Sequence, residues 1–102
     1  MNKFDVEKAE RLRAKYTPDW ELVKGTMLQK SYVFDDYDSV LDFFRAMKPA
    51  QVKLDHFADF AFFYNELLVR ITTKDVGGLT ELDYKLARQM DKNYPQGDNN
   101  EI

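Results

Sequence analysis

Apolar residues recur along this chain in two rhythms, and the switches between them predict its elements. Residues 3 to 16 carry Phe4, Ala9, Leu12 and Tyr16 at helical spacing among many charges, which predicts a short amphipathic helix ending before Thr17-Pro18. The period then shortens to two. Trp20 to Leu22 and Leu28 to Phe34 flank Gly25-Thr26, and Leu28, Lys30, Tyr32 and Phe34 alternate with Gln29, Ser31 and Val33, as in a hairpin. Asp35 and Asp36 close the second strand and Asp38 can cap a helix, whose core face is predicted as Val40, Leu41, Phe44 and Met47. Pro49 lacks a backbone donor and must end or kink that helix, although the apolar pattern runs on to Leu54.

The second half repeats the scheme. Phe60 to Tyr64 and Leu67 to Thr73 read as strands joined tightly at Asn65-Glu66. Phe60, Phe62 and Tyr64 lie on one face of the first and Ala61 and Phe63 on the other, so this strand calls for protein on both sides. Gly77-Gly78 makes a turn, Thr80 with Asp83 forms a capping box, and Leu82, Leu86 and Met90 form the core stripe of a last helix. Residues 95–102 read as a polar tail. The order helix, strand, strand, helix, strand, strand, helix predicts one α+β domain over residues 1–102: a four-stranded antiparallel sheet with helices on one face.

Composition limits what such a domain can do. At 102 residues, with 44% apolar and 32% charged, the chain suits one compact domain, and a sizeable binding surface calls for self-association. Net charge is −3 with bases and acids interspersed, which argues against direct nucleic-acid binding. The absence of cysteine removes disulfides, thiolate nucleophiles and zinc–sulfur sites. No apolar run approaches a membrane span and the start lacks a signal-peptide core, so a cytoplasmic or organelle-lumen location is expected.

The candidate chemistry centres on His56, the chain's one histidine. It reads either as an acid/base near neutral pH or as a helix-end residue whose ring nitrogen caps a carbonyl. Lys74 beside Asp75 reads as a cationic donor or as a solvated turn pair. Phe57, Phe60, Phe62, Phe63 and Tyr64 could stack on a flat ring, but suit core and subunit interface better. Asp35, Asp36, Asp38 and Asp42 suit strand-end and cap roles, and no metal site is expected from them.

Four blocks then bring a family into view: GGLTELDYKLARQMD at 77–91, KLDH at 53–56, YN at 64–65 and YVFDDYDSVLDFF at 32–44. Together they resemble the pterin-4a-carbinolamine dehydratase family, with Trp20 where the family often has a tryptophan. The resemblance implies a four-stranded antiparallel sheet with helices on one face, assembled as dimers or tetramers. It implies dehydration of 4a-hydroxytetrahydrobiopterin in tetrahydropterin recycling. Some members have other roles, as dimerisation cofactors of a homeodomain transcription factor or as Rubisco assembly factors with a chaperone-like function. The family motif is a glutamate, three residues, His-His-Pro and a later histidine. Aligned through KLDH, Val52 stands at the glutamate, His56 at the first histidine, Phe57 at the second, Ala58 at the proline and Lys74 at the distant histidine.

By that resemblance His56 and Lys74 are the catalytic candidates, and Asp55, Phe57, Phe60 and Asp75 would contact a pterin, which is a ligand or substrate rather than a resident cofactor. The reaction must protonate a departing hydroxyl and remove the N5 proton, and phenylalanine does neither. The expectation is therefore a homo-oligomeric protein-binding module with a degenerate catalytic set. A protein partner is expected, with Rubisco one candidate; an active dehydratase is the alternative.

Overall fold

The computed structural model describes residues 2–95, so the predicted polar tail, apart from Pro95, lies outside the described residues. The element order is α1 (Val6–Tyr16), β1 (Glu21–Val23), β2 (Met27–Val33), α2 (Tyr37–Ala46), α3 (Lys48–Leu54), β3 (Asp59–Phe63), β4 (Glu66–Ile71), a 3-10 turn (Lys74–Val76) and α4 (Glu81–Asn93). The strands form one antiparallel sheet in the order β1-β2-β4-β3. This is the α+β architecture that the periodicity predicts.

Register explains which face is covered. Leu28 pairs with Ile71, Lys30 with Val69 and Tyr32 with Leu67, so the residues predicted to alternate inward share one face with the buried positions of β4. Trp20, Met47, Leu86 and Met90 pack over that face in the same buried cluster. Each such side chain taken out of water contributes about 1.5–3 kcal/mol. Lys30 is the exception on this inner face. Its Nζ lies 2.7 Å from Asp91 Oδ1, and the same carboxylate accepts from Trp20 Nε1 at 3.1 Å and from the Tyr32 hydroxyl. Asp91 of α4 thereby ties the last helix to β2 and to the segment before β1.

Two predictions about α2 change, and the one about its end holds. Asp36 caps α2, its side chain accepting from the Ser39 amide at 2.8 Å, while Asp38 sits in the first turn. The core face is Val40, Phe43 and Met47; Leu41 is half-buried, and Phe44 turns toward the sheet edge, with its ring about 5.0 Å from those of Phe60 and Phe62. The helix ends before Pro49: the chain breaks at Met47, and Pro49 falls in the first turn of α3, where its missing donor costs no helical bond.

At the other hairpin, Lys24 and Gly25 both take positive φ, and a Cβ on Gly25 would lie 2.8 Å from a methyl of Val6. Glycine here lets the turn close against α1. The capping box of Thr80 and Asp83 is present at the start of α4. Leu86 and Met90 are buried in that helix as predicted, whereas Leu82 is half-buried and Tyr84 and Ala87 complete its inner stripe.

The strand β3 departs most from expectation. Its two apolar faces predict cover on both sides, yet it is the outer strand of the sheet beyond β4, with Phe62 43% and Phe63 53% exposed. Phe60 and Phe62 share the helix-side face with Val69 and Leu67, while Phe63 stands on the opposite face.

Candidate functional site

The corner where α3 ends, β3 begins, β4 runs out and α4 begins gathers the residues singled out from the sequence. Asp55 ends α3 in the left-handed region at φ 51, a conformation that aspartate tolerates better than most residues. This turn sends the chain back, and the His56 amide donates to the Gln51 carbonyl at 3.0 Å. Gln51 holds the loop twice more: its side-chain oxygen accepts from the Ala58 amide at 3.0 Å, and its Nε2 donates to the Met47 carbonyl at 3.2 Å. The His56 imidazole is thereby turned inward, leaving the residue only 9% exposed.

Its partner is a carboxylate rather than a carbonyl. His56 Nε2 lies 2.6 Å from Asp83 Oδ1, and Asp83 is fully buried. The second oxygen, Oδ2, accepts from the Thr80 amide at 2.7 Å and from the Thr73 hydroxyl at 2.7 Å, and the Thr73 and Thr80 hydroxyls meet at 2.8 Å. Burying a carboxylate is tolerable only when its lone pairs are filled, and here they are. One residue therefore caps α4 and holds the imidazole. A carboxylate on one ring nitrogen fixes the ring and its tautomer, so proton exchange with anything outside falls to Nδ1.

Lys74 is near this corner but outside the network. It follows Thr73 directly, yet its Nζ reaches Asp59 Oδ1 at 3.2 Å, with both side chains mostly exposed. The predicted pairing with Asp75 is replaced by this contact, because the 3-10 turn places Asp75 on the exposed surface and Lys74 toward the start of β3. A solvated pair of this kind contributes little energy. Phe57 is 57% exposed next to the buried imidazole, and Phe60 is half-buried against Phe44. The large grooves lie elsewhere. Cavities of about 680, 630 and 390 Å³ run along the helical layer, and His56, Phe57 and Lys74 line none of them.

The partner of His56 was legible only in part. Thr80 and Asp83 announce a capping box, and a box uses one carboxylate oxygen. The spare oxygen of a buried cap was the available signal. Thr73 and Gln51 carry none, since their roles depend on the path of the loops.

Comparison with known proteins agrees with this architecture. The family model described as pterin 4 alpha carbinolamine dehydratase matches residues 2–93. A protein of Saccharolobus solfataricus, provisionally named a pterin-4-alpha-carbinolamine dehydratase, is 42% identical over 73 residues, 72% of this chain and 75% of its own length. A relative of the same provisional name from Sulfurisphaera tokodaii is 33% identical over 87 residues, 85% of this chain and 92% of its own. Among solved structures, a transcriptional coactivator/pterin dehydratase from Brucella melitensis superposes with a TM-score of 0.79 at 30% identity, covering 93% of this chain and all of that one. A pterin dehydratase-like protein identified as a RuBisCO assembly factor in the alpha-carboxysome shares the fold, with a TM-score of 0.63 at 16% identity over 78% of this chain and 93% of that one. With the family model matching residues 2–93 and relatives 33–42% identical over most of their own length, this chain belongs to the pterin 4 alpha carbinolamine dehydratase family.

Proposed function

We infer that this family member works mainly as an oligomeric protein-binding module and that dehydration of 4a-hydroxytetrahydropterin is absent or slow. The observation that carries this reading is the commitment of the chain's one imidazole: His56 Nε2 is held by Asp83 inside a buried network whose polar groups satisfy one another. Dehydration needs one group to protonate the leaving hydroxyl and another to take the N5 proton. Beside His56 stands Phe57, which exchanges no protons, and Lys74 is solvated and paired with Asp59. The exposed aromatic edge of β3 supports the oligomeric part of the reading. The fold has hosted a RuBisCO assembly factor, so the scaffold accommodates protein partnership, although that distant likeness identifies no partner for this chain.

An active dehydratase is the second reading, and one observation favours it. A carboxylate orienting an imidazole is also how a working acid/base is held, with Nδ1 left to serve the substrate. The curated relatives bear the dehydratase name. Following 4a-hydroxytetrahydropterin dehydration with purified protein decides between the two. The proposed function predicts a rate at or near the uncatalysed one, and a large rate enhancement abolished by His56→Ala assigns the enzyme instead.

A further inference from the structure

Between α3 and α4 runs a groove of about 630 Å³ whose charge, among the described residues, is all of one sign. Lys53 comes from α3; Lys85, Arg88 and Lys92 come from α4; no described carboxylate lines it. The three α4 residues stand at i, i+3 and i+7, one stripe on the helix, where like charges oppose helix formation. A chain of net charge −3 thus concentrates cations here against its own balance. Lys85 is offset by Glu81 at 2.6 Å, one turn earlier, and the Arg88 guanidinium lies 5.5 Å from the centre of the Tyr16 ring. Beneath the cations the floor is apolar, with Ala50 and Leu54 partly buried against the core.

We propose that this groove docks an acidic amphipathic segment of a partner protein, with its apolar side chains on the floor and its carboxylates on Lys53, Arg88 and Lys92. Charge and shape point to that occupant together. A phosphate-backbone polymer would engage the cations and leave the apolar floor uncovered, whereas an amphipathic helix or strand uses both. The inference rests on the protein-binding part of the proposed function and is independent of whether dehydration survives.

The test uses fluorescence anisotropy with the full chain and three labelled probes: a Leu/Glu amphipathic peptide, the same peptide with Lys for Glu, and a single-stranded DNA oligonucleotide. The acidic peptide should bind saturably, lose affinity as salt rises, and bind the K53E/R88E/K92E variant at least tenfold more weakly. The milder K53Q/R88Q/K92Q variant should lose part of that affinity, and circular dichroism should report both variants folded. Absence of saturable binding at high micromolar peptide, equal binding to the charge-reversed variant, or tighter binding of the DNA or the basic peptide overturns the proposal. So does a changed sedimentation coefficient for K53E/R88E/K92E alone, which would give the groove to a second copy. The wild-type dehydration rate, which tests the earlier reading, is untouched by any of these outcomes.

Discussion

The imidazole Nε2 of His56 lies 2.6 Å from Oδ1 of Asp83, a carboxylate whose other oxygen caps the helix that carries it. Two features 27 residues apart thus depend on one buried side chain. Asp83→Ala leaves the Thr80 amide, the Thr73 hydroxyl and the imidazole without their acceptor, and the expected loss is about 3 kcal/mol. Asp83→Asn, which keeps the shape and one acceptor, should lose less. Urea denaturation measures both; a loss for Asp83→Ala no larger than that of a surface substitution would refute the shared role.

Thr80→Ala removes a cap residue and should cost about 1 kcal/mol. The Thr80 hydroxyl also meets the Thr73 hydroxyl, which donates to Asp83, so the effect should travel to the imidazole. Ring resonances of His56 should shift together with the stability loss. Unmoved resonances in a destabilised variant would mean that cap and imidazole are uncoupled.

Installing proton carriers tests whether the corner still accepts a pterin. Phe57→His with Ala58→Pro and Lys74→His should raise dehydration by one to several factors of ten, up to the ~10²–10⁴ that positioned acid–base groups contribute. Phe57 and Lys74 are exposed, whereas Ala58→Pro also removes the amide that donates to the Gln51 side-chain oxygen, so Phe57→His with Lys74→His is measured beside the triple variant. An unchanged rate in a folded triple variant would show that the pterin site itself is gone.

Self-association should run through the edge of β3. Phe62 and Phe63 on this edge strand, and Tyr64 in the turn after it, are exposed beside the strand's unpaired backbone groups, an arrangement that invites a partner. Sedimentation at micromolar concentration should report a dimer or larger species, and Phe62→Lys with Phe63→Lys should shift it toward the 12.1 kDa monomer. A wild-type monomer at these concentrations contradicts the prediction.

Alkaline pH should destabilise the fold through two tyrosines. Burial first, then the hydrogen bond and charge of Asp91, pushes the Tyr32 hydroxyl far above its ordinary range, and burial with the charge of Asp83 pushes Tyr84 up to about 12. Both folded values exceed the unfolded one near 10, so the stabilisation is complete below pH 10 and is lost as pH rises beyond it, where only the unfolded chain releases the protons. Tyr32→Phe should flatten the fall in urea midpoint between about pH 9 and 11. An equally steep fall in that variant would locate the alkaline sensitivity elsewhere.

Much of the candidate site is assembled by segments whose proximity no local pattern records. His56, Lys74 and the aromatic edge were visible as residue types, and the blocks that resemble the dehydratase family located them on the chain. Adjacency predicts that Lys74 pairs with Asp75, and the structure pairs it with Asp59, because adjacency in sequence says little about where a long side chain reaches once a 3-10 turn redirects it. The helical pattern places Phe44 in the core and the structure places it at the sheet edge, for a related reason. Two neighbouring helical phenylalanines point about 100° apart, and only the position of β3 decides that Phe43 goes inward and Phe44 to the edge.

The sequence by itself determined the elements, since periods of 2 and 3.6 are local consequences of backbone geometry. It determined the inward face of β2, the glycine turn before it and the capped start of α4 in the same way. Tertiary structure alone decided that β4 lies between β2 and β3, that the doubly apolar β3 ends at an edge, and that Lys30 can point inward because Asp91 meets it. It also decided the meeting of His56 with Asp83. Strand order and contacts between buried or half-buried polar side chains arise between segments far apart in the chain, and their energies depend on which surfaces the packed helices leave for one another.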